Sequence, residues 1–208
     1  MKPEEVTEIV EKIGNAKSVK ELDTLEFKEL ALKLREITFE CVCDKLTQSE
    51  ASAIIEAFEN GKPFKAFKNL VSLRKGTISP SGQNTPSAGF LLENKASNIA
   101  WVYCYFIECI LNVQTNRDSF MFSLIEEGCI TLVMQELDSK EFRESKDKPL
   151  ADSPTVNAIN QHLILIWNIT YSVCVVPTLA DELHKIGFFP ILKEYIKSRY
   201  QKRFSSFF

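Results

Sequence analysis

Glycine and proline are scarce in this chain, at seven and eight among 208 residues, and half of the prolines fall within 75–89 and 138–154. With so few helix breakers outside those two stretches, long uninterrupted helices are open to the rest of the chain. Histidine is scarcer still, with His162 and His184 alone, which leaves little for acid–base or metal chemistry. A net charge of -3 is too small for bulk attraction to nucleic acid or to an anionic membrane. The longest apolar run, Ile99 to Val113, is interrupted by Glu108 and falls short of the roughly 20 residues that span a bilayer. Met1 to Val10 lacks the basic start and apolar stretch of a secretory signal, so a cytoplasmic or nuclear location is expected. Nowhere does alternation of apolar and polar residues persist long enough to argue for a sheet. The expected class is therefore all-α.

Sites that would carry chemistry are few. His162 opens an apolar helical pattern and His184 stands beside Asp181 and Glu182, each without a partner at metal spacing. Cys41 and Cys43 form one pair that no second pair or nearby His completes. Cys104, Cys109, Cys129 and Cys174 sit inside apolar helical patterns, where a thiol serves as a small hydrophobe. Gly82 and Gly89 precede no phosphate-binding basic residue and follow no strand. No catalytic residue, metal or cofactor is expected. Ser79–Pro80 and Thr85–Pro86 are acceptor dipeptides for a proline-directed kinase, of a kind common in loops. The Asn168–Ile169–Thr170 sequon lies in an apolar helix, where glycosylation has no access.

What is abundant is helical periodicity. Val6, Ile9, Val10 and Ile13 recur at three and four residues before Gly14, predicting a first helix from Pro3. A second, from Val19 or Leu22 to Leu46, carries Leu25, Leu30, Leu34, Ile37 and Val42. Thr47 and Glu50 form a capping box for a third, which holds Ile54, Ile55 and Phe58 and stops at Asn60–Gly61. Pro63 suits a first turn, with Phe64, Phe67, Leu70, Val71 and Leu73 behind it. Lys75 to Gly89 reads as loop, Phe90 to about Gln114 as helix, and Asp138 to Pro154 as a second polar break.

Two segments also repeat one another. Ile110, Leu111, Asn112 and Val113 precede Gly128, Ile130, Leu132, Val133 and Leu137; Ile166, Trp167, Asn168 and Ile169 precede Gly187, Phe189, Ile191, Leu192 and Ile196. Phe67, Lys68, Asn69 and Leu70 fit the same frame, and Asn69 lies 43 residues before Asn112, with 56 more to Asn168. A helix closed by Asn, a gap, a Gly and a second helix make a repeat unit. From about Lys62 to Arg203 the chain resembles the armadillo repeat family, with the longer interval explained by an insertion at 138–154.

That resemblance implies a right-handed α-α superhelix. A cap at 1–61 would precede armadillo-like repeats over 62–208. Asp118 to Glu127, Cys129 to Leu137 and Pro154 to Thr170 would be the first, second and third helices of one unit. Leu179 to Ile186 and Phe188 to Arg203 would open the next. It further implies a non-enzymatic scaffold whose third helices line a groove for an extended segment of a partner protein. Asn69, Asn112 and Asn168 would hold the segment's backbone, since an amide offers both donors and an acceptor. Lys65 and Glu108, standing four residues before two of these Asn residues where the family places Trp, would select its side chains. Trp101 and Trp167 read as core. The mixture of Lys197, Arg199, Lys202 and Arg203 with Tyr200, Phe204, Phe207 and Phe208 also suits contact with a further domain. On that alternative reading the stack restrains an attached signalling domain, for example a TIR domain, and the chain is a regulatory fragment.

Overall fold

The computed structural model describes residues 1–76, 98–116, 118–132, 177–185, 187–190 and 192–193. Helix is the regular structure throughout them: α1 (Pro3–Asn15), α2 (Val19–Leu22), α3 (Leu25–Val42), α4 (Gln48–Asn60), α5 (Pro63–Gly76), α6 (Asn98–Asn116), α7 (Asp118–Glu126) and α8 (Pro177–Lys185). The chain is all-α, and no strand occurs among the described residues. The expected helix at 154–170, residues 194–203 of the one expected from Phe188 to Arg203, residues 77–89 of the expected loop, the polar break at 138–154 and the start of a helix at Phe90 lie outside them.

Local chemistry sets most of the boundaries. The Thr47 hydroxyl accepts from the Glu50 amide at 3.3 Å while the Glu50 carboxylate accepts from the Thr47 amide at 2.9 Å, so the capping box forms as read. Pro63 occupies the first position of α5. The segment expected as one helix from about Val19 to Leu46 is two. Thr24 caps α3 by accepting from the Phe27 amide at 3.1 Å, and Asp23 turns its carboxylate away to the Ile99 amide at 2.9 Å, in the first turn of α6. Satisfying that distant helix start breaks the local pattern. At the far end α3 stops at Val42, and Asp44 adopts a left-handed backbone with φ of 53°.

Two sets of helices share one core. α1 packs against α4 and α5, and α3 packs against α6 and α4, with α7 closing on α6 and α8. Packing therefore joins the first 61 residues to those that follow. Phe58, Phe67, Tyr103, Phe106 and Phe120 are buried together; the Phe58 and Phe106 rings are 5.8 Å apart, and Phe67 and Tyr103 are stacked at 6.3 Å. Each such ring contributes about 1.5–3 kcal/mol by burial. Gly61 lies so close to α1 that a Cβ there would stand 2.6 Å from the Val10 Cβ. Gly128 and Gly187, by contrast, are required by conformation. Their φ values of 74° and 73° turn the chain between α7 and helical residues 129–132, and between α8 and helical residues 188–190, a corner that a side chain strains.

Candidate functional site

The helical period divides α3 into faces. Phe27, Ala31, Leu34, Thr38 and Cys41 are buried in the core. Leu25, Lys28, Leu32, Arg35 and Phe39 follow one another at three and four residues and so share a second face, on which Leu25 and Phe39 are 61 % and 47 % exposed. On α6, Trp101, Tyr105, Glu108 and Asn112 form the matching half-buried stripe between buried neighbours.

Contacts between the two helices climb in step. The Lys28 ammonium lies 5.6 Å from the centroid of the Trp101 ring, and that ring is 5.6 Å from Tyr105. The Arg35 guanidinium stands 6.0 Å over Tyr105 and pairs with the Glu108 carboxylate. Above them the Asn112 amide donates to the Thr38 hydroxyl at 3.1 Å, and that hydroxyl donates to the Arg35 carbonyl at 2.9 Å. With Asp23 on Ile99 below, the pairs rise together along both helices, so α3 and α6 are parallel.

Electrostatics on this face are strongly coupled. Burial works against the Arg35 charge, but the hydrogen bond and charge of Glu108 more than offset it and hold the guanidinium above its ordinary value. Glu108 is the more enclosed partner, with a side chain 13 % exposed against 38 % for Arg35. Burial raises the Tyr105 phenol above its ordinary value, so a cation faces a neutral ring, the arrangement that cation–π attraction requires. Burial likewise raises the Cys104 thiol, which donates toward Glu108 at 3.6 Å. A raised, enclosed thiol is the opposite of an activated nucleophile.

The expected partner-binding residues fall into two places. Glu108 and Asn112 lie on the α3–α6 face. Lys65 and Asn69 do not join them. The Asn69 amide donates to the carbonyls of Ile13 and Ala16 at 2.8 and 2.9 Å, and the Lys65 ammonium donates to the Asn15 side-chain oxygen at 2.6 Å. Both tie α5 to the carboxyl end of α1, whose last carbonyls lack partners within their own helix. Asn168, Trp167, His162, Ser79 and Thr85 lie outside the described residues, as does the tail from Lys197. His184 is exposed in the last turn of α8.

Lys28, Arg35 and Thr38 were not singled out by the sequence. Lys28 and Arg35 stand seven residues apart and so share one face of α3, but the helix also carries Lys33, Glu26, Glu29, Glu36 and Glu40, so nothing in the sequence sets this pair apart. Trp101, read as core, is half-buried against Lys28 and Tyr105. Among the described residues no group of three His, Cys, Asp or Glu side chains is placed to hold a metal ion. No described helix is long and apolar enough to cross a membrane. Comparison of the chain with protein-family models, with curated proteins and with solved structures finds no match.

Proposed function

We propose that this chain is a non-catalytic binding module, an armadillo-type right-handed stack whose α3–α6 face holds an extended segment of a partner protein. In this reading α4, α5 and α6 are the three helices of one unit, and α1 and α3 are the second and third of the unit before. α7 with residues 129–132, and α8 with residues 188–190, open the next two. The observation that carries the proposal is the parallel alignment of α3 with α6, two long helices that leave one continuous, partly exposed stripe of aromatic, amide and charged groups. Packing of α1 on α5, second helix on second helix, agrees with the same order. Asn69 then belongs to a second helix, and the position beside Asn112 on the neighbouring third helix is Thr38.

The partner's side chains would rest on Trp101 and Tyr105, with Leu25 and Phe39 supplying apolar contact at the two ends of α3. Arg35 and Glu108 would discriminate by charge, and Asn112 would align the backbone. An amide contact of this kind contributes about 0.5–1.5 kcal/mol net, so it sets register more than affinity. Aromatic anchors contribute more, about 2 kcal/mol where they dominate an interface.

Selection of a displayed library of random 12-residue peptides against the whole chain tests this reading. Peptides that bind should lose at least tenfold in affinity to the Tyr105→Ala variant and a few-fold to Asn112→Ala, both variants showing unchanged helicity by circular dichroism. Peptides that bind both variants as tightly as the parent chain would remove the α3–α6 face from consideration.

A further inference from the structure

The third face of α3 carries a separate site. Glu26, Leu30, Lys33, Ile37 and Glu40 succeed one another at intervals of four, three, four and three residues, and Glu5, Glu8 and Lys12 follow at three and four along α1, with Met1 just ahead of that helix. These two stripes are the walls of a groove of about 630 Å³ with Ile9 at its base. Ile9 is buried, and Leu30 and Ile37 are half-buried against the core. The groove therefore has an apolar floor and charged rims.

The rims are unbalanced. Glu5, Glu8, Glu26, Glu36 and Glu40 line the groove against Lys12 and Lys33, and the Lys12 ammonium is turned onto the Phe27 ring at 5.4 Å. Among the described residues the ion pairs Arg35–Glu108 and Lys68–Glu127 take none of these carboxylates, and of the five only Glu5 is seen to accept a hydrogen bond, from the Lys2 amide at 2.7 Å. Both walls keep the alternating four and three spacing that seats another helix in the seam between two. From Glu26 to Glu40 the seam runs about 21 Å at 1.5 Å per residue, the length of a helix of about 14 residues.

We infer that the α1–α3 groove receives an amphipathic, Lys/Arg-rich helix of another protein, apolar residues toward Ile9, Leu30 and Ile37 and cations toward the glutamates. A second copy of this groove does not suit it, because two carboxylate rims would repel. The site is separate from the α3–α6 face and stands or falls independently of it.

A labelled 14-residue synthetic helix with Leu on one seam and Lys elsewhere is the probe, its binding to the whole chain read by fluorescence anisotropy at about 0.1 M salt. Binding should weaken at least tenfold for a peptide of the same composition with the Leu spacing scrambled. It should weaken similarly for the chain carrying Glu36→Lys and Glu40→Lys, both side chains lying on the rim, where exchange leaves the core intact. Tyr105→Ala and Asn112→Ala should leave it unchanged. Equal binding of the scrambled peptide would reduce the effect to diffuse charge and overturn the inference. So would undiminished binding to the charge-reversed chain, or a dimer, seen by sedimentation, that the charge reversal dissolves.

Discussion

Asn69 is where two accounts of one residue part company. If it held a partner's backbone, removing its amide would weaken binding and spare the fold. In the structure it donates to two carbonyls at the carboxyl end of α1, so its loss should strike stability. Each hydrogen bond contributes about 0.5–1.5 kcal/mol net, which puts Asn69→Ala at about 1–3 kcal/mol less stable than the parent. With a urea dependence of about 1–3 kcal/mol per molar, the unfolding midpoint followed by circular dichroism should fall by about 1 M. Asn69→Asp sharpens the test, because its carboxylate would face two carbonyl oxygens in place of the donor they use. The folded state then disfavours ionisation and raises the carboxyl above its unfolded value of about 3.9. Stability of that variant should accordingly be greatest below about pH 4 and decline as pH rises through the raised value. An unchanged midpoint for Asn69→Ala, or a flat acid profile for Asn69→Asp relative to the parent, would refute the bridging role.

Gly61→Ala should cost about 1–3 kcal/mol by overpacking, since the new Cβ would lie 2.6 Å from the Val10 Cβ and 3.0 Å from the Thr7 carbonyl oxygen. Because the nearest clash is with the Val10 Cβ, which alanine would keep, Val10→Ala should not rescue the variant, and a Gly61→Ala chain as stable as the parent in urea unfolding would refute the close contact. Burial pushes the thiols of Cys109 and Cys129 up to about 12 from an ordinary value of 9.0. The unfolded chain sheds these protons first, so stability should be fully present below about pH 9 and fall toward pH 12, by up to about 1.4 kcal/mol per thiol per pH unit. Cys109→Ala with Cys129→Ala should flatten that alkaline decline. An equally steep decline in the double variant would assign it to other groups.

Legibility in the sequence followed how local each cause is. The apolar spacing of Val6, Ile9, Val10 and Ile13 announces α1, and the Thr47–Glu50 pair announces α4, because both signals lie within one or two turns. The break at Asp23 was half hidden. Leu22 and Leu25 continue an apolar pattern across it, Thr24 supplies a local cap for α3, and the Ile99 amide that the Asp23 carboxylate serves lies 76 residues away. The placing of Asn69 was hidden for a related reason. An Asn amide serves a helix end, a neighbouring hydroxyl or a bound peptide with the same atoms, so matching Asn69 to Asn112 reported residue type and not which helices pack together. Arg35 and Glu108 were equally opaque as a pair, being 73 positions apart on helices that nothing local joins.

The shared direction of α3 and α6 has a bearing on how this chain tolerates change. Asp23 with Ile99, Lys28 with Trp101, Arg35 with Glu108 and Thr38 with Asn112 act like the teeth of a rack. Moving one helix past the other by a single turn would unseat every tooth at once, leaving no half-engaged setting in which some pairs survive. Alignment set by the teeth owes nothing to the length of sequence between them.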